Sequence, residues 1–219
     1  MKQVNFKQDV VPFLIATIGE FIALHYWLVY MDSEQFVSAN LLLWLGFAIE
    51  RTAVVIWVRR VHNPQAGFVN LPMLKQVIGV ALITLSEILV WIAWLWVVTK
   101  YGHLAGAITL YILMLGEHSM EMSLIKARPI NVYLINGRVN FFTLMETLGA
   151  VGWMYFHQQG QDGWAVASLL IGLSIEHILQ GRELKPEENL TQKHTEETQE
   201  ALVEGLVPNK QSSSPDSPN

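Results

Sequence analysis

The 219-residue chain contains no cysteine. It therefore forms no disulfide, and it has no thiolate to bind zinc, hold an iron–sulfur cluster or carry out thiol redox chemistry. The chain is also poor in charge, since Asp, Glu, Lys and Arg make up 15% of its residues whereas 52% are hydrophobic. It has no phosphate-binding loop, dinucleotide fingerprint, nucleophile elbow or nucleic-acid module. The composition therefore argues against an ordinary soluble domain and against a nucleic-acid partner.

The hydrophobic residues are concentrated in six long blocks. These blocks are Val10–Tyr30, Phe36–Val58, Leu74–Val98, Leu104–Ile125, Asn140–Phe156 and Trp164–Leu179. Runs of this length and composition are typical of helices that cross a bilayer. The first block contains Glu20 and lacks a small-residue cleavage site, so we interpret it as a span rather than a signal peptide. The sequence predicts an all-α integral membrane protein with six transmembrane helices.

The charges outside the blocks predict the orientation of the chain. Basic residues flank one side of the predicted spans, at Lys2, Lys7, Arg59, Arg60, Lys75, Lys126, Arg128 and Arg138. The turns on the other side contain only Lys100. By the positive-inside rule we expect a bacterial inner (plasma) membrane protein with both termini in the cytoplasm. From residue 181 the composition becomes polar, which predicts a transmembrane domain over 1–180 and a mostly disordered cytoplasmic tail over 181–219.

The blocks alternate between two patterns, which indicates an internal repeat. The odd-numbered blocks share Thr, then Glu three residues later, then Trp seven residues after the Glu: Thr17-Glu20-Trp27, Thr84-Glu87-Trp94 and Thr143-Glu146-Trp153. The even-numbered blocks share Glu followed by a basic or imidazole side chain: Glu50-Arg51, Glu117-His118 and Glu176-His177. Within each successive pair of blocks the two Glu are 30 residues apart. We therefore predict three repeated helical hairpins, at about residues 10–58, 74–125 and 140–180, in a pseudo-threefold bundle.

The Trp of each odd-numbered block lies two helical turns from the Glu, on nearly the same face of the helix. Two interpretations stay open at this point. The three Trp either separate the carboxylate level from water or belong to an aromatic belt at the membrane interface.

Six carboxylates at one level of a membrane need compensating positive charge. An ionised side chain at the bilayer centre costs about 2.5–3.5 kcal/mol, so six cost about 15–20 kcal/mol. Glu121, one turn after Glu117, adds a seventh carboxylate. Arg51 is the one permanent cation at this level and is expected to pair with Glu50, while the two His add at most two charges. Protons or multivalent cations must supply the rest.

The ligand chemistry of these side chains favours a metal centre. Carboxylate oxygen and imidazole nitrogen suit iron or manganese, and zinc is also compatible. Glu and His that project from facing helices into a bundle core are the ligand types of carboxylate-bridged two-metal centres. In the ferritin-like examples the Glu and His are three residues apart, whereas here they are adjacent, so only the ligand chemistry is similar. The predicted metal ligands are Glu20, Glu50, Glu87, Glu117, His118, Glu121, Glu146, Glu176 and His177, with Arg51 as a charge partner.

Three functions are compatible with this pattern. The first is a membrane metalloenzyme in which two or three iron or manganese ions support redox chemistry on a lipid-soluble substrate. The second is a transporter or channel for protons or divalent cations that uses the same carboxylates. The third is a non-catalytic subunit of a larger membrane complex. Expected partners are membrane lipid, further copies of the chain or other membrane subunits.

A purely structural role is the remaining alternative. The Glu side chains would then form a hydrogen-bonded network between helices that only sets their packing. His118 and His177 would donate to neighbouring Glu rather than bind metal.

Overall fold

The computed structural model describes residues 11–61, 71–126 and 128–184. Within these ranges the chain forms seven helices and no β-strand, which confirms the all-α prediction. The helices are α1 (Val11–Asp32), α2 (Phe36–Val61), α3 (Met73–Tyr101), α4 (His103–Lys126), α5 (Ile130–Leu134), α6 (Gly137–Gln158) and α7 (Asp162–Leu184). The last helix continues to residue 184, four residues past the predicted end of the transmembrane domain, and the rest of the predicted tail lies outside the described residues.

Four of these helices contain segments that are long and apolar enough to cross a membrane. They are Val11–Met31 in α1, Phe36–Val58 in α2, Met73–Tyr101 in α3 and Asp162–Leu184 in α7. Many of their large hydrophobic side chains are exposed on the surface of the described chain, which suits contact with lipid. Helices α4 and α6 have similar lengths, but their polar residues lower their mean hydropathy. In α4 these residues include Glu117, His118 and Glu121, so the predicted site itself weakens the membrane signal of the helix that carries it.

Three short turns join α1 to α2, α3 to α4 and α6 to α7. Each contains one residue with positive φ: Glu34 at 60°, Gly102 at 87° and Gly160 at 68°. Glycine adopts this conformation at little cost because it has no Cβ. In the first and third turns, a pair of backbone hydrogen bonds typical of the Schellman motif closes the preceding helix. These turns reverse the chain so that consecutive helices pack side by side.

The six long helices form a closed ring. Helix α1 packs on α2, α3 on α4 and α6 on α7, and the pairs meet through α2 with α3, α4 with α6 and α7 with α1. The short helix α5 lies in the connection between α4 and α6 and packs on both. Each long helix packs beside two others and directs one face at the common interior, across which α4 and α7 also contact each other.

Small residues allow two of the helix pairs to approach closely. In the α6–α7 pair, a Cβ added at Gly172 would lie 2.7 Å from the Cα of Gly149. In the α1–α2 pair, a Cβ added at Gly46 would lie even closer to the Cβ of Ala23. Both contacts occur at the same sequence distance from the Glu of their helices, four residues before one Glu and three residues after the other. The close approach therefore determines how near the carboxylates of each pair come to one another.

Buried hydrophobic residues form two clusters, with the predicted site residues between them. The first cluster follows the Glu in α1, α3 and α6 and precedes it in α2, α4 and α7. The second cluster lies on the opposite side of the Glu in five of these helices and includes Phe13, Trp57 and Phe142. Consecutive long helices therefore pass through one polar layer in opposite directions.

The three repeat Trp lie in the first cluster. Trp27, Trp94 and Trp153 are all fully buried, and the rings of Trp94 and Trp153 stack with their centroids 6.4 Å apart. An interfacial belt would place these rings at the lipid surface, so their burial supports the first of the two interpretations. They cover the polar layer from one side.

Candidate metal centre

The structure brings every predicted site residue into one buried layer. None of them exposes more than 4% of its surface: Glu20, Glu50, Arg51, Glu87, Glu117, His118, Glu121, Glu146, Glu176 and His177. Most of them line one small cavity together with Gln180. The layer contains seven carboxyl groups and one permanent cation, so protons or further cations must offset every additional carboxyl group that is ionised.

Arg51 gathers four of the carboxylates on one side of the layer. Its Nη2 atom donates to Glu87 Oε2 at 2.8 Å and to Glu117 Oε1 at 3.0 Å. Its Nη1 atom lies 2.6 Å from Glu121 Oε1 and 3.4 Å from Glu50 Oε1. The predicted pair with Glu50 is therefore present, but it is the longest of the four contacts. One guanidinium thus faces more negative charge than it can neutralise.

His177 presents one ring nitrogen to its own helix and the other to the carboxylates. Its Nδ1 atom lies 2.9 Å from the carbonyl oxygen of Leu173 and 3.0 Å from Glu176 Oε2. Both of these atoms are acceptors, so Nδ1 carries the hydrogen. The Nε2 atom lies 3.6 Å from Glu20 Oε2 and 3.8 Å from Glu50 Oε1. In the neutral ring this nitrogen has a lone pair that faces carboxylate oxygens.

His118 has the same arrangement. Its Nδ1 atom lies 2.8 Å from Thr143 Oγ1, and that hydroxyl already donates its hydrogen to the carbonyl oxygen of Val139. The hydroxyl therefore accepts from Nδ1, which places the hydrogen on that nitrogen. The Nε2 atom lies 3.2 Å from Glu146 Oε2 and 3.8 Å from Glu117 Oε2.

Glu176 lies between the two imidazoles. Its Oε2 atom is 3.0 Å from His177 Nδ1, and its Oε1 atom is 4.0 Å from His118 Nε2. One oxygen of Glu176 therefore accepts from the Nδ1–H of His177, and its other oxygen faces the free nitrogen of His118. Glu20, Glu176 and His177 also offer ligand atoms that all lie within 4.8 Å of one another. These three residues can therefore hold a metal ion.

Several buried carboxylate oxygens have unused acceptor capacity. Glu50 Oε2, Glu117 Oε2 and Glu146 Oε2 are inaccessible to solvent and accept no hydrogen bond. Leaving a buried polar group unsatisfied costs about 1–3 kcal/mol, and more when the group is charged. An ion among these oxygens and the two Nε2 atoms would satisfy them. The donor set of carboxylate oxygen and imidazole nitrogen fits such an ion.

Two threonines and one glutamine contribute to the layer beyond the predicted ligands. Thr17 Oγ1 donates to the carbonyl oxygen of Phe13 and lies 3.2 Å from His177 Nδ1, as Thr143 does for His118. Gln180 Nε2 donates to Glu121 Oε2 at 2.7 Å. The repeat identifies both Thr, since each precedes a Glu by one turn. Gln180 stands in α7 where Glu121 stands in α4, but the sequence pattern does not predict their contact.

The layer therefore has two halves. In one half Arg51 contacts four carboxylates. The other half contains the two imidazoles and the carboxylates of Glu20, Glu146 and Glu176, without a permanent cation. Ring orientations, unsatisfied oxygens and ligand types all agree with a cation-binding site in that second half. No protein-family model matches this chain, and comparison with curated proteins and with solved structures gives no match either.

Proposed function

We propose that this chain is an integral membrane metalloprotein whose buried Glu and His residues hold two iron or manganese ions. The single observation that carries the proposal is the orientation of the two imidazoles. Each Nδ1–H is engaged by an acceptor, and each Nε2 lone pair faces carboxylate oxygens at 3.2–3.8 Å. The lone pair of a neutral imidazole and a carboxylate repel each other unless a metal cation or a proton lies between them. Two imidazoles so arranged favour two cations.

The ligands divide naturally between two ions. His177, Glu20 and Glu50 surround one position, and His118, Glu146 and Glu117 surround the other. Glu176 lies between the two imidazoles, where one oxygen orients His177 through Nδ1–H and the other would join the ligands of the ion beside His118. Arg51 and two divalent ions together supply five positive charges against seven carboxylates, and protons account for the remainder.

The proposal includes six membrane spans arranged as three related hairpins. Supporting this, each even-numbered span pairs its basic residue with the Glu of the next odd-numbered span around the ring. The distances are 2.8 Å for Arg51 with Glu87, 3.2 Å for His118 with Glu146 and 3.6 Å for His177 with Glu20. The three turns with positive φ, which recur between the helices of each hairpin, agree with the same relation.

A redox reaction on a lipid-soluble substrate is the function that this site suits best. Bound iron or manganese would supply one-electron chemistry at this site. The residues of the chain hold the ions at a common depth, orient the imidazoles through Thr17 and Thr143, and exclude water with the two hydrophobic clusters. A substrate dissolved in the bilayer would approach from the exposed apolar faces of the helices.

Transport of protons or divalent cations is the second candidate, and it uses the same carboxylates. Its support is the excess of acidic groups, which can exchange cations among many oxygens. In the described part of the chain, however, hydrophobic clusters lie on both sides of the layer. That enclosure favours a resident ion over one that passes through. Liposome flux that is lost in Glu117→Gln would favour transport, and flux absent under every imposed gradient would dismiss it.

Metal analysis of the purified protein tests the proposed function. The protein is purified in detergent, loaded anaerobically with Fe²⁺ or Mn²⁺, and freed of loose metal before elemental analysis. We expect about two ions per chain, as in other carboxylate-bridged centres, and a lower content in Glu176→Gln. A metal-free protein that is fully stable after loading would contradict the proposal.

A further inference from the structure

Arg51 stands where the other two hairpins have histidine. The motif is Glu50-Arg51 in α2, Glu117-His118 in α4 and Glu176-His177 in α7. Arg51, His118 and His177 make equivalent contacts, because each lies close to the Glu of the next long helix around the ring. The polar layer therefore has three related positions, of which two carry a metal ligand and one carries a permanent cation.

The surroundings of Arg51 have the composition of a metal site. Four carboxylate oxygens from three helices lie within 2.6–3.4 Å of its two terminal nitrogens. The layer concentrates this negative charge around a group that binds no metal, since a guanidinium has no lone pair to donate. The guanidinium supplies the positive charge that an ion would otherwise provide at this position.

The Thr of each hairpin has different hydrogen-bond partners depending on whether His or Arg lies beside it. Thr143 Oγ1 accepts from the Nδ1–H of His118, and Thr17 Oγ1 lies 3.2 Å from Nδ1 of His177. Thr84 is the equivalent residue of the second hairpin and is buried, yet its Oγ1 atom has no hydrogen-bond partner. The corresponding hydroxyl of each other hairpin meets an imidazole and also donates to its own helix, and Arg51 replaces the imidazole here. The hydroxyl that would orient a third histidine is thus already in place.

We infer that Arg51 occupies the place of a third metal ion and limits the centre to two ions. This inference rests on the proposed function, because it concerns the number of ions in the same site. It assigns Arg51 a role beyond that of a charge partner. Arg51 limits the site to two metal ions, although the three repeated hairpins would otherwise provide three metal positions.

Arg51→His tests the inference, with elemental analysis after the same anaerobic loading. The substitution provides a third imidazole next to Thr84 and removes the guanidinium. We expect metal content to rise about 1.5-fold, from two ions per chain to three, as the three repeated positions predict. Arg51→Lys is the matched control, because it keeps a positive charge without adding a ligand; its metal content should not rise.

His118→Arg provides the converse measurement and does not depend on the folding of the first variant. It places a guanidinium at a second of the three positions, so metal content should fall to about half. A wild-type protein that binds no metal would refute the proposed function itself. A wild-type protein that binds two ions, with unchanged content in a helical and monodisperse Arg51→His or His118→Arg variant, would overturn only the inference about Arg51.

Discussion

Gly172→Ala separates the effect of helix packing from the effect of the ligands themselves. The new Cβ would lie 2.7 Å from the Cα of Gly149 and 2.9 Å from the carbonyl oxygen of Met145. Carbon atoms in contact are ordinarily about 3.5–4.0 Å apart, so α6 and α7 must separate by roughly 1 Å. Such overpacking costs about 1–3 kcal/mol, against a gain of about 0.8–1.0 kcal/mol from the higher helix propensity of alanine.

Gly116→Ala is the matched control for this change. A Cβ at Gly116 meets no atom within 4 Å, so only the gain in helix propensity applies. The two variants should therefore differ by about 1–3 kcal/mol in the free energy of unfolding. Thermal unfolding in detergent, followed by circular dichroism, measures this difference.

The same variant also tests whether close packing supports the site. Glu176 lies one turn after Gly172, and Glu146 lies one turn before Gly149, so a wider gap between the helices spreads the carboxylates of α6 and α7. We expect Gly172→Ala to retain less metal than Gly116→Ala after identical loading and washing. Equal stability and equal metal content in the two variants would refute the packing argument.

Three further predictions concern the polar layer. Glu176→Gln should lower metal content because it replaces one carboxylate oxygen of a group that can hold a metal ion. Glu121→Gln should keep the metal content because Glu121 contacts Arg51 rather than an imidazole. Elemental analysis distinguishes the two variants, and equal losses would contradict the proposed division of ligands. Arg51→Gln should lower stability by about 3–5 kcal/mol, since it leaves buried carboxylates without their counter-charge; denaturation in detergent measures this loss, and a change below about 1 kcal/mol would contradict the pairing. Thr143→Val should weaken metal binding about 10- to 100-fold by releasing His118 Nδ1; competition with a chelator measures the affinity, and unchanged affinity would argue that the hydroxyl has no orienting role.

Much of the helical architecture follows from the sequence alone. Apolar runs of bilayer length predict the long helices, and the observed helices extend each predicted block by one to five residues at most ends. Four of the helices meet a membrane criterion by length and composition. The prediction of six spans is not confirmed for α4 and α6, because polar residues such as Glu117 and His118 lower the mean hydropathy of these helices.

The membership of the polar layer also follows from the repeat. Residues that recur at one position of the sequence pattern lie in one layer, where Glu20 lies near His177 and Glu146 lies near His118. The contacts between side chains inside the layer cannot be predicted from the repeat, because they depend on the order of the helices around the ring. Sequence alone pairs Arg51 with the adjacent Glu50, whereas its shortest contact is with Glu121 on α4. That contact depends on side-chain length and helix rotation, which a one-dimensional pattern does not contain.

Anomalous diffraction from crystals of the loaded protein tests the central claim most directly. Data collected on both sides of the iron or manganese absorption edge show the ions alone. We predict two peaks in the polar layer, one beside Nε2 of His118 and one beside Nε2 of His177, with Glu176 between them. A layer without anomalous density, in which both imidazoles instead donate hydrogen bonds from Nε2 to the surrounding carboxylates, would contradict the claim.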